Sequence, residues 1–167
     1  FGRGVALRLR VHRRWKQPDR RARYLHRHAE EGDVRGIKLK LKREGICDVD
    51  AKNPDGNTAL HIAAMHSQLE PMGLLLEAGS DPITVNKKRQ IAIHCAAEAG
   101  FAEGVRLLIM KAGAAQTKVK DRKGRIPYEV AANDDVRAVL RPFTGGYDEK
   151  SGYGPGRDVF GEPESAI

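Results

Sequence analysis

The chain reads Thr58-Ala59-Leu60-His61-Ile62-Ala63-Ala64 and, 33 residues later, Ile91-Ala92-Ile93-His94-Cys95-Ala96-Ala97. Self-similarity at a fixed period of roughly 20–50 residues is the signature of a stacked repeat protein. In such a protein one unit cannot bury its apolar side alone, so neighbouring units share a continuous core. The sequence therefore predicts a row of similar units that each contact their neighbours.

Both copies predict a short helix followed by a second, leucine-rich one. Leu60 and Ala63 fall at helical spacing on one face, and Ala96 repeats the position of Ala63. Thr58 stands where it can cap the first helix. The runs 74–76 and 107–109 supply the larger aliphatic side chains that a second helix would bury. Each unit is thus predicted to be a pair of packed helices.

The sequence around His61, and the similar sequence around His94, resembles the Thr-Pro-Leu-His-x-Ala signature of ankyrin repeats. The resemblance implies an all-α, ankyrin-repeat solenoid of helix-turn-helix pairs joined by β-hairpin-like loops, here with extended N- and C-terminal tails. It also implies that this histidine is structural and ties helix to loop. The residues that match the structural motif are Gly56, Thr58, Leu60, His61, Ala63, His94, Ala96 and Gly124.

We predict four units, of which the two terminal ones are degenerate. They span roughly 20–52, 53–85, 86–120 and 121–142, and together they form a repeat domain over 20–142. The last unit has Glu129 in place of the histidine and only a short helix near Asp135–Leu140. A basic N-terminal arm, 1–19, precedes this domain, and a Gly/Pro-rich C-terminal extension, 143–167, follows it.

Three residues depart from the repeat pattern. Arg89 occupies the position of a turn glycine in the third unit, and Pro71 and Gly73 lie in the second helix of the second unit. Proline is tolerated in a first helical turn but not deeper. Glycine inside a helix costs about 1 kcal/mol relative to alanine. We expect these residues to weaken single units without changing the fold.

No group of residues makes a case for an enzyme. Cys47 and Cys95 form no disulfide framework. The histidines outside the motif lack cysteine or carboxylate partners at ligand spacing. The glycine-rich stretch 152–156 has no Lys-Ser/Thr pair and opens no helix, so it does not match a nucleotide loop. We expect no catalytic, cofactor-binding or metal-binding residue and no small-molecule substrate.

The first 18 residues are basic and contain no acid. Leu7, Val11 and Trp15 recur every four residues, so a weak amphipathic helix is possible. Such Arg-rich wording resembles a mitochondrial targeting segment. It equally suits an arm that contacts rRNA phosphates or an anionic lipid surface, or a solvated, disordered arm. The candidate partner-binding residues here are Arg3, Arg8, Arg10, Arg13, Arg14 and Trp15.

A second basic set falls on the loops between units. Loop tips and the helices beside them form the usual partner surface of the family that the chain resembles. If the stack forms, these tips align one unit apart and offer a basic stripe to an acidic protein surface or to RNA phosphates; ordinary solvated lysines are the alternative. The candidate residues are Lys87, Lys88, Arg89, Lys118, Lys120, Arg122, Lys123 and Arg125.

Our leading hypothesis is a non-catalytic ankyrin-repeat subunit of a large organellar assembly, most simply a mitochondrial one. Segments with the composition of the two tails have little reason to order alone, so we expect both to lie on neighbouring protein subunits. The alternatives are an RNA-contacting ribosomal protein, and a freestanding adaptor or chaperone; plastid and cytoplasmic locations stay open. The chain begins at Phe1, so either a leader has been removed or the sequence is partial.

Overall fold

A computed structural model describes residues 20–43 and 48–144 of the chain. The basic arm, the loop 44–47 with Cys47 and the extension from 145 onward lie outside the described residues. The predictions for Arg3, Arg8, Arg10, Arg13, Arg14 and Trp15, and for the docking of both tails, therefore stay predictions.

The described residues form seven α-helices and two short 3-10 helices, with no strand among them. The α-helices are α1 (Arg20–Glu31), α2 (Val34–Arg43), α3 (Ala59–Met65), α4 (Leu69–Glu77), α5 (Ala92–Glu98), α6 (Ala102–Ala112) and α7 (Asp134–Leu140). The 3-10 helices are Ala114–Lys118 and Arg141–Phe143.

The helices stack in two rows. One row runs α1, α3, α5, the other runs α2, α4, α6, and each helix packs on its own pair partner and on its neighbour in the row. This arrangement confirms the predicted all-α solenoid of helix pairs. The core runs through the whole stack, since Leu25, Leu60, Ile93 and Leu140 of successive units all belong to one buried cluster.

Alanines line the first helices because the rows approach closely there. Ala59, Ala63, Ala92 and Ala96 are all fully buried. A larger side chain at these positions would force neighbouring helices apart, which a closely packed interior resists. The small-residue pattern thus sets the spacing of the stack, while the leucines of α4 and α6 fill the space between rows.

The N-terminal end of the stack carries polar substitutes for core residues. Tyr24 takes the position of Ala59 and is half exposed, and Lys40 takes the position of Leu75. The Lys40 ammonium lies 5.0 Å from the centre of the Tyr24 ring, a cation–π distance. A terminal unit needs a face that tolerates water, and this pair supplies it.

The last unit keeps one helix of its pair. Residues 127–130, where α3 and α5 have their counterparts, form turns, and only α7 follows. Glu129, at the histidine position, accepts the N–H of Ile126 through its carboxylate at 2.7 Å. The motif histidine makes the same bond, since Nδ1 of His61 accepts the N–H of Thr58, also three residues earlier, at 3.3 Å. Glu129 therefore replaces the histidine in this one hydrogen bond.

The departures from the pattern are accommodated locally. Pro71 lies in the first turn of α4, where no intrahelical N–H is needed. Arg89 has φ +57°, the left-handed conformation that Gly56 and Gly124 adopt at φ +81° and +80°. Ser67, in the turn between α3 and α4, also has a positive φ of +55°. Two non-glycine residues thus hold a backbone conformation that L-residues disfavour.

Candidate interaction surface

Three loops project between the helix pairs, and we name them the first finger (residues 48–57), the second finger (81–90) and the third finger (116–125). Each ends in the same four-residue turn, in which the N–H of the fourth residue donates to the carbonyl of the first. The three hydrogen bonds are Gly56 to Asn53 at 2.8 Å, Arg89 to Asn86 at 2.9 Å and Gly124 to Asp121 at 3.0 Å. The fingers are therefore copies of one backbone design.

The first residue of each turn also holds it through the side chain. Asn86 Oδ1 accepts the N–H groups of Lys88 and Gln90, both at 2.9 Å. Asn53 does the same in the first finger and Asp121 in the third. Sequence reasoning missed this role. The signal was an Asn or Asp three residues before the last residue of the turn, which is glycine in the first and third fingers and Arg89 in the second.

Backbone hydrogen bonds join neighbouring fingers in one register. The N–H of Lys87 donates to Asp55 carbonyl at 3.2 Å, and that of Arg122 donates to Lys88 carbonyl at 2.9 Å. Lys87 and Arg122 are equivalent residues, as are Asp55 and Lys88. The same offset in both pairs aligns the three fingers in a row along one side of the stack.

The motif histidines anchor this row to the helices. His61 Nε2 donates to the carbonyl of Gln90 at 3.0 Å, and His94 Nε2 to that of Arg125 at 3.2 Å. In each case a helix of one unit holds the base of the next finger. His26 instead donates to the carbonyl of Ala51, near the start of the first finger, at 3.0 Å. His61 and His94 thus each join a helix to the following finger by one hydrogen bond.

The other ring nitrogen, Nδ1, has different surroundings in His61 and His94. Nδ1 of His61 lies 2.9 Å from the Thr58 hydroxyl, whereas Nδ1 of His94 has no partner because Ile91 replaces the threonine. Burial lowers the pKa of both imidazoles below the ordinary value, and that of His26 as well. Burial thus favours the neutral form of these rings, with the proton on Nε2, the nitrogen that donates to the carbonyl.

The predicted basic tips are exposed, with one qualification for Arg125. Asp121, which is buried, receives two bonds from the Arg125 guanidinium at 3.1 and 2.8 Å, and Glu98 lies 3.7 Å from it. Burial raises the pKa of the Asp121 carboxyl, but the hydrogen bonds from Arg125 and Lys123 outweigh it and the pKa lies below its ordinary value. Arg125 is therefore a structural cation of the third finger.

The remaining seven candidates present their charge to solvent. They are Lys87, Lys88, Arg89, Lys118, Lys120, Arg122 and Lys123, all exposed. The third finger has no further acid to offset its exposed cations, since its one carboxylate belongs to Asp121 and is paired with Arg125. The second and third fingers together therefore present a basic ridge.

Sequence reasoning also missed two apolar residues on the second finger. Ile83 and Val85 are 59% and 41% exposed. Val119 of the third finger, by contrast, packs partly against the core. Exposed aliphatic side chains beside a charged ridge are a common feature of protein-binding surfaces.

The nucleophilic and metal-ligating residue types are used in packing or remain dispersed. Burial raises the pKa of the Cys95 thiol to about 12, so it stays protonated at neutral pH. Among residues 20–43 and 48–144 no group of three or more His, Cys, Asp or Glu side chains could hold a metal ion. Nor does this part of the chain contain a helix long and apolar enough to cross a membrane.

Comparison with known proteins agrees with the geometry of helix pairs and fingers. The family model for ankyrin repeats in three copies matches residues 25–121. This match covers more than half of the chain, and the chain belongs to the ankyrin-repeat family. Its repeats are accordingly a protein–protein interaction domain.

Several known proteins are similar to the chain over its repeats, and their names indicate different functions. NF-kappa-B inhibitor zeta of Homo sapiens is 34% identical over 90 residues, 51% of this chain and 12% of that protein. The tyrosine-protein kinase Shark of Drosophila melanogaster is 34% identical over 122 residues, 69% of this chain and 12% of that protein. The B-cell lymphoma 3 protein homolog of Mus musculus is 30% identical over 113 residues, 66% of this chain and 25% of that protein. The chain thus spans a quarter or less of each, and the likeness concerns the repeat domain.

Proposed function

We propose that the chain is a non-catalytic scaffold subunit that binds neighbouring proteins of a larger organellar assembly through its fingers and adjoining helices. One observation carries the proposal: seven exposed cations lie on two fingers that a backbone hydrogen bond holds in register. A surface of this kind attracts acidic partners and orients them as they approach. The fixed turns also limit the ordering cost of binding.

The chemistry of the described residues supports a binding role. Three of the five histidines in the described residues, His26, His61 and His94, donate to backbone carbonyls, and Cys95 is a buried thiol. Such groups stabilise the stack and are unavailable as acids, bases or nucleophiles. One relative points the same way, since NF-kappa-B inhibitor zeta is by its name an inhibitor of NF-kappa-B.

The organellar part of the proposal rests on the N-terminal segment. Residues 1–18 carry six basic residues and no acid, a composition that resembles a mitochondrial targeting segment. Fusing this segment to a fluorescent reporter tests the location. We expect mitochondrial accumulation, and we expect it to disappear when the five arginines of the segment become glutamine. A reporter that stays in the cytoplasm with both versions would contradict the proposal.

The assembly is tested by purifying the tagged full chain from its native source, followed by cross-linking and mass spectrometry. We expect stable co-purification of proteins whose cross-links fall on the second and third fingers. Lys118→Glu combined with Lys123→Glu should reduce co-purification, whereas Arg106→Glu, an exposed charge on α6, serves as the matched control. A chain that elutes as a free monomer would instead support the adaptor hypothesis.

The same preparation separates protein partners from RNA or lipid. Nuclease treatment before purification should leave the associated proteins in place. Loss of the complex on nuclease treatment, with binding that falls steeply with salt, would favour the ribosomal alternative. Capture by anionic vesicles alone would point to a lipid surface.

A further inference from the structure

The three fingers carry a graded charge along the stack. The first finger has three acids and one base, the second has one acid and three bases, and the third has one acid and five bases. Their net charges are therefore −2, +2 and +4 in the order of the chain. Apart from Asp121, whose carboxylate holds its turn, this gradient arises from side chains that the turns do not require.

Local pairing leaves the gradient in place. The Asp121–Arg125 ion pair removes one charge of each sign from the third finger and leaves four exposed cations. In the first finger Asp50 accepts hydrogen bonds from the Ser80 hydroxyl and the Asp81 N–H, which do not neutralise it. Asp55 is exposed at the tip of the same finger. One end of the row thus stays negative and the other strongly positive.

The second finger, in the middle of the row, also exposes two aliphatic side chains beside its cations. Val85 of the second finger is equivalent to Lys52 of the first and Lys120 of the third, and the Lys52 ammonium donates to Val85 carbonyl at 2.8 Å. The shared register of the fingers places Val85 between the two lysines. Ile83, two residues earlier, is equivalent to Asp50 and Lys118. In each of these two sets of equivalent residues, the member on the second finger is an exposed aliphatic side chain.

We infer that the fingers bind an extended polypeptide segment in one direction, with carboxylates on the third finger, an apolar side chain on Ile83 and Val85, and a cationic end on the first finger. The inference rests on the proposed role as a protein-binding scaffold and names the chemistry and polarity of the bound segment. Helices pack about 8–10 Å apart, so the row spans roughly 20 Å. An extended chain covers that distance in about six residues at roughly 3.3 Å each.

Nucleic acid fits this row less well than polypeptide. The first finger is negative and repels phosphates, and no finger contains an aromatic residue on which a base could stack. Ile83 and Val85 offer contact area to an aliphatic side chain but no hydrogen bond to a base edge. The combination of a charge gradient with an apolar centre is specific to a peptide of mixed character.

The direct test uses the full chain and a labelled nine-residue peptide with three glutamates, a central leucine between glycines, and three lysines. A peptide can bind in either chain direction, so a photo-cross-linker at the glutamate end reads the orientation. We expect its adducts on the third finger, and adducts of a cross-linker at the lysine end on the first. Adducts spread equally over both fingers would overturn the inference.

Variants separate the three parts of the site by fluorescence anisotropy. Lys118→Glu with Lys120→Glu should weaken binding on the order of tenfold, and Ile83→Ser roughly fivefold. Asp55→Lys should weaken the mixed peptide and strengthen an all-glutamate one, since it removes the negative end of the row. Arg106→Glu is the control and should change nothing.

Two further outcomes would refute the inference. One is a leucine-to-serine peptide that binds as well as the original, because the apolar centre would then contribute nothing. The other is a nine-nucleotide poly(U) strand that binds as tightly as the mixed peptide. Neither result bears on co-purification with native proteins, so failure here is distinguishable from failure of the scaffold proposal.

Discussion

Replacing Arg89 by glycine is expected to stabilise the repeat domain. Arg89 holds φ +57° at the turn position where the neighbouring fingers have Gly56 at +81° and Gly124 at +80°. A non-glycine residue in this region costs of order 1–3 kcal/mol. Glycine removes that strain but gives back part of the gain, about 0.4–1 kcal/mol, through the greater freedom of the unfolded chain. The net expectation is a gain of about 1 kcal/mol.

The assay is urea unfolding followed by far-ultraviolet circular dichroism, with thermal unfolding as a second measure. The midpoint should rise with no change in the slope m, because the exposed surface is the same. A gain of 1 kcal/mol corresponds to roughly 4 °C in Tm for a domain of this size. Arg89→Ala keeps the positive φ and removes the side chain, so it should bring no such gain.

Gly124→Ala supplies the reciprocal control. Its added Cβ would meet no atom within 4 Å, so any loss of stability reports the positive φ alone. We expect a loss of about 1 kcal/mol. The reasoning is refuted if Arg89→Gly is no more stable than Arg89→Ala while Gly124→Ala is destabilising, since the strain at Arg89 would then be negligible.

Three further outcomes follow from buried or helical positions, each read by the same unfolding assays. Gly73→Ala in α4 should stabilise by about 1 kcal/mol because no atom lies within 4 Å of the new Cβ. Gly104→Ala in α6 should destabilise because its Cβ would overlap the Phe101 ring. Asn86→Ala should cost about 2 kcal/mol, since it removes two accepted N–H groups of its turn and a bond to the first finger; a loss under about 0.5 kcal/mol would contradict the role given to that side chain. The free energy of unfolding should be constant above the ordinary histidine pKa of 6.5 and should fall as the pH drops below it, because the unfolded chain binds protons that the buried rings do not. The loss is up to about 1.4 kcal/mol per pH unit for each of His26, His61 and His94. Replacing His61 by glutamine should reduce that slope.

The fold was predictable because equivalent positions of successive units meet the same packing constraint and therefore carry similar residues. Alanine at 63 and 96 reflects two places where helix rows approach equally closely, and the leucines of α4 and α6 fill equivalent spaces. At the N-terminal end of the stack, Tyr24 and Lys40 stand in place of residues that are buried in the next unit. Local sequence and shared core point to the same architecture, and such consistency across levels makes a fold readable.

The surface was less predictable, because charge in the sequence does not reveal which charges are paired. Arg125 resembles its basic neighbours until the turn brings it against the buried Asp121. Val85 and Val119 likewise look alike in sequence, yet one is exposed and the other packs partly on the core. These differences depend on how each finger meets the adjacent unit, which a local pattern does not encode.

Arg89 is where the demands of the fold and of the proposed partner meet. The turn favours glycine there, as the other two fingers show, while the basic ridge favours a cation. Strain of this kind persists when the surroundings over-determine the backbone, and it is found at functional sites. The substitution Arg89→Gly therefore tests the strained backbone and the cation together. It should raise the free energy of unfolding and weaken binding of the all-glutamate peptide. A variant that gains stability with unchanged binding would show that the cation at this tip contributes nothing to recognition.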